Sequence, residues 1–180
     1  MATTVVLKPL DQMRDFHAVE VVYRRAIDYL DLESGLSPTA AARAFFKERP
    51  PASTKDPLKF GVNVHDGALA AIGDLAFGFP GPDDAYLGLL LLVPEMRGRG
   101  LGRAVLEEVK QLARTHGASR LLIGVLDSNG GARRFWERQG FTLAQTSGPH
   151  IFGDRQHVVH RLELALVGSV DDCGQQLCNL

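Results

Sequence analysis

The run LGLLLLVPEMRGRGLGRAV, residues 87–105, joins an apolar stretch to three closely spaced glycines and three arginines, then passes into an amphipathic pattern. It reads as a buried strand feeding an anion-binding helix start. The first N–H groups of a helix have no intrahelical partner, and the aligned peptide dipoles favour negative charge there, so a phosphate is the natural guest. Gly98, Gly100 and Gly102 let a diphosphate approach the main chain and tolerate the dihedrals that converging N–H groups require. Arg97, Arg99 and Arg103 add positive charge beside it.

Two familiar phosphate loops do not fit. A nucleoside-triphosphate loop ends in Gly-Lys-Ser/Thr, whereas Gly102 is followed by Arg103 and Ala104. The dinucleotide fingerprint spaces its glycines G-x-G-x-x-G, and counting from Gly98 and Gly100 the third place falls on Arg103. What remains is Arg97-x-x-Gly100-x-Gly102 after a strand and Val93-Pro94. This resembles the acyl-CoA pyrophosphate loop of the GNAT superfamily of N-acyltransferases. A second segment strengthens the resemblance: after the strand-like LLIGVLD come Asn129, Ala132, Phe135, Trp136 and Gly140-Phe141. These match the family's N-x-x-A-x-x-F-aromatic-x-x-x-G-F signature, and the likeness spans roughly residues 3–165.

The chain has 180 residues and a formal net charge of −1, which suits one domain with a real core. Domain boundaries are expected at 1–167, with a polar C-terminal tail over 168–180. Near-neutral charge argues against nucleic acid as a partner. The longest apolar run, 89–93, is far short of a membrane span, and no secretory signal opens the sequence, so a cytoplasmic protein is expected. Cys173 and Cys178 lie in the tail; with no histidine nearby they do not supply the four ligands of a structural zinc site, and no metal is expected.

Residues 3–7 read as a first strand. Met13, Phe16, Val19, Tyr23, Ile27 and Leu30 recur at helical spacing and predict one helix. Ser37-Pro38 reads as a cap with proline at the first helical position, opening a second helix that ends before Pro50-Pro51. Stretches 60–64 and 68–79 read as strands joined at Asp66-Gly67. The strand 86–93 lacks alternation, which implies burial on both faces. Leu101, Val105, Val109 and Leu112 give the next helix its buried stripe, ended by Gly117. A strand at 121–126, a short helix at 132–138 and strands at 141–145 and 158–164 close the pattern. The fold class is α/β of the α+β kind, and the resemblance implies a GNAT fold: a central mixed, mostly antiparallel sheet of six to seven strands flanked by about four helices.

The resemblance also implies the chemistry. Strands 86–93 and 121–126 should part like an open V to admit the acyl-pantetheine arm. By position relative to Pro94, the backbone of Leu90, Leu91 and Leu92 would contact that arm, with one amide binding the thioester carbonyl. Residues Arg97, Gly98, Arg99, Gly100, Leu101, Gly102 and Arg103 would hold the pyrophosphate, and Asn129 would hydrogen-bond pantetheine. Asn129 also suits a plain helix cap, and Arg133 with Arg134 suits a solvated helix face. Many members carry tyrosine after the signature phenylalanine, where it can protonate the leaving thiolate; here Trp136 stands there. Indole donates but does not ionise usefully, so Trp136 is expected to pack against the cofactor arm.

An acceptor amine with a lysine-like pKa of ~10.4 is almost wholly protonated at neutral pH, so a base should assist. Asp74 interrupts an otherwise apolar strand and is the first candidate, set against a structural carboxylate paired with an arginine or backbone amides. Glu33, placed in the loop between the first two helices, and Tyr86 come next; Glu95 is expected to be exposed. His157 and His160, three apart on a strand, face opposite ways and do not form a metal pair. The resulting expectation is an acetyl-CoA-dependent N-acetyltransferase transferring directly to a primary amine, on a small molecule or a peptide, in a ternary complex. The resemblance implies an acceptor seated between the Asp28–Leu36 segment and the late strands, where Tyr29, Asp31 and Glu33 would make that side acidic. The alternative is a non-catalytic acyl-CoA-binding or sensing domain. A homodimer is compatible with the edge strands.

Overall fold

The computed structural model describes residues 5–50, 56–63 and 67–166. In chain order its elements are β1 (Lys8–Pro9), α1 (Gln12–Arg25), α2 (Ile27–Glu33), α3 (Pro38–Lys47), β2 (Leu58–Asn63), β3 (Leu69–Phe77) and β4 (Asp84–Leu92). A 3-10 turn at Pro94–Met96 leads to α4 (Leu101–Thr115), β5 (Arg120–Leu126), α5 (Gly130–Arg138), β6 (Thr142–Phe152) and β7 (Arg155–Ala165). The strands form one seven-stranded sheet in the order β1-β2-β3-β4-β5-β7-β6. Only β4 and β5 run parallel; the other neighbours are antiparallel.

Local chemistry accounts for the helix starts. Asp11 caps α1 by accepting from the N–H groups of Met13 and Arg14 at 2.9 and 3.1 Å. Ser37 caps α3 by accepting from Ala40 N–H at 3.3 Å, with Pro38 in the first helical position, where its missing N–H costs nothing. The predicted single helix over 13–30 is instead two. At Ala26 the backbone (φ −98°, ψ 42°) leaves helical space, and because neither glycine nor proline marks the break, the apolar periodicity runs across it unchanged. Glu33 is consequently the last residue of α2 and not part of a loop.

Other differences lie at the edges. The first strand is confined to Lys8 and Pro9, which pair with Gly61 and Phe60; residues 5–7 carry no strand pairing, and the start of the expected 3–7 strand lies outside the described residues. Asp66 of the expected turn, both cysteines and the 168–180 tail also lie outside them. Strands β6 and β7 are longer than their apolar cores suggested, because polar residues extend the hairpin to a tight turn at Gly153-Asp154.

Two apolar layers sandwich the sheet. On one face Val105, Leu106 and Val109 of α4 pack with Leu87, Leu121, Ile123 and Trp136. On the other, Val19, Val22, Leu30 and Phe45 pack with Ile72, Leu91 and Val93. Burial from both sides explains why β4 reads as an almost continuous apolar run. Among the described residues no helix is long and apolar enough to cross a membrane.

Two irregularities in the centre of this sheet create the site. Leu87 pairs with Leu75 and Leu89 with Asp74, so Gly88 has no opposite residue on β3 and forms a β-bulge. On the other side, the parallel pairing of β4 with β5 runs from Asp84↔Arg120 to Leu87↔Ile123 and stops there. Beyond Leu87 the two strands diverge, while β5 stays paired to β7 as far as Leu126↔Val159. The closed end of the V is clamped by Arg120, which donates to Asp84 at 2.8 and 3.0 Å and to Glu163 at 2.8 Å.

Candidate active site

The glycine-rich loop takes the form its sequence demands. Gly98 (φ +71°) and Gly100 (φ +83°) adopt left-handed conformations, which side chains with a Cβ rarely enter. A Cβ at Gly102 would lie 3.3 Å from the Phe135 ring, so that glycine lets α4 and α5 approach closely. The first hydrogen bond of α4 runs from Ala104 N–H to Gly100 O at 3.1 Å. The amides immediately before it have no preceding turn to donate to, which leaves an anion-binding cradle at the N-terminus of a fifteen-residue helix. Arg99 and Arg103 are exposed beside it. Arg97 is differently employed: its Nε donates to Leu92 O at 3.1 Å and its guanidinium pairs with Asp28 of α2. The loop is thereby tied both to the end of β4 and to the helix below.

A narrow cavity of about 80 Å³ opens where β4 and β5 diverge. Leu87 to Leu90 line one side, Ile123 to Leu126 the other, and Asn129, Ala132 and Trp136 the end nearest α5. Asn129 Oδ1 accepts from Ala132 N–H at 3.0 Å, capping α5, and the residue lies on the cavity wall. Trp136 is buried, meeting Phe135 and Phe141 edge-on with centroids 4.8 and 5.3 Å away. Leu90 faces this cavity; the Leu91 side chain belongs to the α1–α3 core, and Leu92 packs on the α4 side.

A second cavity of about 260 Å³ lies on the opposite side of the bulge and shares Gly88 and Leu89 with the first. Its walls include Tyr23 of α1, Glu33 of α2, Phe45 and Glu48 of the α3 end, and Ile151 to Gly153 of the β6–β7 hairpin. Asp74 sits just behind Gly88: a Cβ there would lie 3.5 Å from Asp74 Oδ2. Asp74 is not free. Lys59 Nζ donates to its Oδ2 at 2.6 Å and to Glu48 O at 3.0 Å. Burial pushes the Asp74 carboxyl above its ordinary range, opposed by the neighbouring Lys59 ammonium. Asp74 is therefore a partnered carboxylate, with a lysine where an arginine or backbone amides were weighed from sequence, and it lies behind the Gly88 bulge.

Glu33 carries a different signature. Its carboxylate accepts from Tyr29 Oη at 2.6 Å, and Tyr29 also lines the narrow cavity. Burial raises the Glu33 pKa, the Tyr29 hydrogen bond lowers it, and the charge of Glu48 raises it again. The Tyr23 hydroxyl is pushed up by burial and then by Glu33, Glu48 and Asp74, so all three carboxylates project their field on one region. The remaining candidates lie elsewhere. Tyr86 is raised by burial and sits under Arg161, and Glu95 is exposed and pairs with Arg25 at 3.3 Å. Arg133 pairs with Glu137 at 2.9 Å on the outside of α5. His160 bridges Thr146 and Asp127 at 2.9 Å each, and His157 Nε2 donates to Glu33 O at 2.8 Å. Among the described residues no group of three potential ligands could hold a metal ion.

Residues 19–141 match the model of the Acetyltransferase (GNAT) family, and the chain belongs to that family. Solved structures agree in fold. An acetyltransferase from Thermus thermophilus superposes with a TM-score of 0.69 at 22% identity, covering 91% of this chain and 98% of that one. A spermidine N-acetyltransferase chimera from Vibrio cholerae and hSSAT gives 0.70 at 16% identity over 91% and 96%. The ribosomal-protein-S18-alanine N-acetyltransferase from Escherichia coli gives 0.65 at 20% over 93% and 97%. No curated protein matches this chain in sequence.

Proposed function

We propose that the protein transfers an acetyl group from acetyl-CoA to a primary amine by direct attack within a ternary complex. The observation that carries this reading is the divergence of β4 and β5 after Leu87 and Ile123, which opens a narrow donor slot on one side of Gly88 while the wider cavity meets the same bulge from the other. Residues Gly98 to Arg103 would hold the pyrophosphate at the α4 N-terminus. Asn129 would donate to the pantetheine arm, Leu90 and Trp136 would pack along it, and Arg97 would fix the loop through Asp28. Residues 1–167 would serve as one catalytic domain.

The donor supplies the acyl group as a thioester. The amine attacks in its neutral form, its ammonium proton having passed to solvent; Asp74 accepts the remaining N–H proton as the nitrogen–carbon bond forms and the carbon–sulfur bond breaks, with the sulfur keeping the bonding electron pair. A thiol pKa near ~8.5 makes that thiolate a fair leaving group without an acid, which is consistent with Trp136 in place of tyrosine. A main-chain N–H in the stretch 90–92 would stabilise the negative charge developing on the carbonyl oxygen, a contribution of about 3 kcal/mol when such a donor is fixed in a dry cleft. Thiol release from acetyl-CoA across an amine panel, with calorimetric titration of acetyl-CoA, tests the reading. Turnover with any amine supports it. Tight binding with no turnover would favour the acyl-CoA-binding alternative, and no binding would overturn the assignment of the glycine loop.

A further inference from the structure

We propose that the acceptor is a small molecule with two amino groups, one attacking at the Gly88 bulge while the other stays protonated against Glu33. The inference rests on the acetyl-transfer reading and specifies its acceptor. It is carried by the unequal partnering of two carboxylates, Glu33 in the wall of the wider cavity and Asp74 behind its Gly88 wall.

Asp74 brings its own counter-ion. Lys59 lies 2.6 Å away with both side chains largely out of water, so the pair is electrically balanced and makes no demand for a substrate cation. Glu33 has no such partner. Its hydrogen bond comes from the neutral Tyr29 hydroxyl, no salt bridge reaches it among the described residues, and the nearby His157 spends Nε2 on the Glu33 main-chain carbonyl. A half-buried carboxylate that lacks a cation is costly, and an ammonium entering the cavity would supply one through a charge-assisted hydrogen bond. That ammonium cannot be the nucleophile, because an attacking nitrogen must first lose its proton. A second amino group satisfies both requirements.

The walls restrict size. The hairpin tip that carries Ile151 to Gly153 is seated on the α2–α3 turn: Asp154 N–H donates to Ser34 O at 3.1 Å. A Cβ at Gly153 would fall 2.1 Å from that same oxygen, and one at Gly35 would fall 2.4 Å from Asp154 Oδ1. Chain packed this closely closes the gap between the hairpin tip and the α2–α3 turn. The cavity volume of about 260 Å³ equals about nine waters at their liquid volume and lies below the usual range for drug-sized ligands. That volume suits a short diamine better than a polypeptide N-terminus.

The test compares diaminobutane, butylamine and a short peptide with a free N-terminus as acceptors for the full-length protein, after calorimetry has shown acetyl-CoA to bind. The expected result is a kcat/KM for diaminobutane about ten- to a hundredfold above that for butylamine, the range a hydrogen bond to a charged group supplies, with the peptide slower than either. Glu33→Gln should bring that ratio close to one through KM, and Glu33→Asp should restore part of it, while acetyl-CoA affinity holds in both. Equal use of the two amines, a preference for the peptide, or acetyl-CoA binding with none of the three acetylated would overturn the inference and leave the donor assignment standing. Failure of acetyl-CoA to bind would remove the reading on which it rests.

Discussion

Lys59 and Asp74 stand directly opposite each other on neighbouring strands β2 and β3, with Nζ 2.6 Å from Oδ2. The pair faces the α1–α3 side of the sheet, where Lys59 also reaches Glu48 O and lies 5.1 Å from the centre of the Phe45 ring. Its place behind the Gly88 bulge puts a balanced, poorly hydrated carboxylate next to the point where the two cavities meet. If Asp74 is the base, this setting holds it in one position with its charge balanced.

Replacing Asp74 by Asn should therefore lower kcat by about 10²–10⁴, the usual contribution of a positioned base, with little effect on acetyl-CoA affinity. The wild-type rate should fall as pH drops through the Asp74 pKa, because only the carboxylate accepts a proton, and burial places that pKa above the ordinary 3.8. Lys59→Met removes the group that holds it down, so the acidic limb should move to higher pH. The same substitution strands a buried carboxylate and should cost about 3–5 kcal/mol of stability. Steady-state pH profiles and urea unfolding of the two variants check both statements; a full rate for Asp74→Asn from pH 6 to 9 would remove Asp74 as the base.

In the Asp84–Arg120 clamp at the closed end of the V the carboxyl is shifted the other way. The Arg120 guanidinium holds the Asp84 carboxyl below its ordinary 3.8. A depressed carboxyl contributes stability that is present above its unfolded pKa and is lost as pH falls through the lower folded value. Asp84 is nearly buried but the Arg120 side chain is 43% exposed, so Asp84→Asn should cost about 1–2 kcal/mol, less than a fully buried pair. Urea midpoints at neutral pH and near pH 3 should show the difference between wild type and variant shrinking in acid.

The central strand, the glycine loop and the helix after it were legible because each is written locally: an apolar run, glycines at fixed offsets, a stripe at helical spacing. The break at Ala26 was not, since nothing in its side chain departs from helix and tertiary packing sets its dihedrals. Gly88 did leave a trace, an isolated glycine inside a strand, which often marks a bulge. Lys59 as the partner of Asp74 could not be read at all, because the pairing depends on the β2–β3 register across fifteen residues. The wider cavity, whose wall joins α2 to the distant β6–β7 hairpin, follows no local pattern either; only the family resemblance pointed to the space between the early helices and the late strands.

The glycine loop separates backbone strain from crowding. Nothing lies within 4 Å of a Cβ built on Gly100, yet its φ is +83°, so Gly100→Ala should cost about 1–2 kcal/mol from conformation alone. Gly102 has an ordinary φ but faces the Phe135 ring at 3.3 Å, so Gly102→Val should force α4 and α5 apart and weaken acetyl-CoA binding more than it lowers stability. Thermal unfolding beside calorimetric titration distinguishes the two; equal effects on stability and affinity in both variants would contradict the division.

Tyr29 links the two cavities, since it lines the narrow one and its hydroxyl donates to Glu33 in the wall of the wider one. That hydrogen bond favours the Glu33 carboxylate against the burial that disfavours it. Tyr29→Phe removes the favourable contribution alone, so the Glu33 pKa should rise further and the carboxylate should be lost at a higher pH than in the wild type. If Glu33 holds the acceptor's second ammonium, KM for diaminobutane should increase in Tyr29→Phe, and most steeply on the acidic side, where the neutral acid no longer attracts the cation. KM for butylamine, which has no second charge to hold, should change with pH as it does in the wild type. Parallel pH profiles for the two amines in the variant would mean that the hydroxyl serves only to pack α2 against the slot.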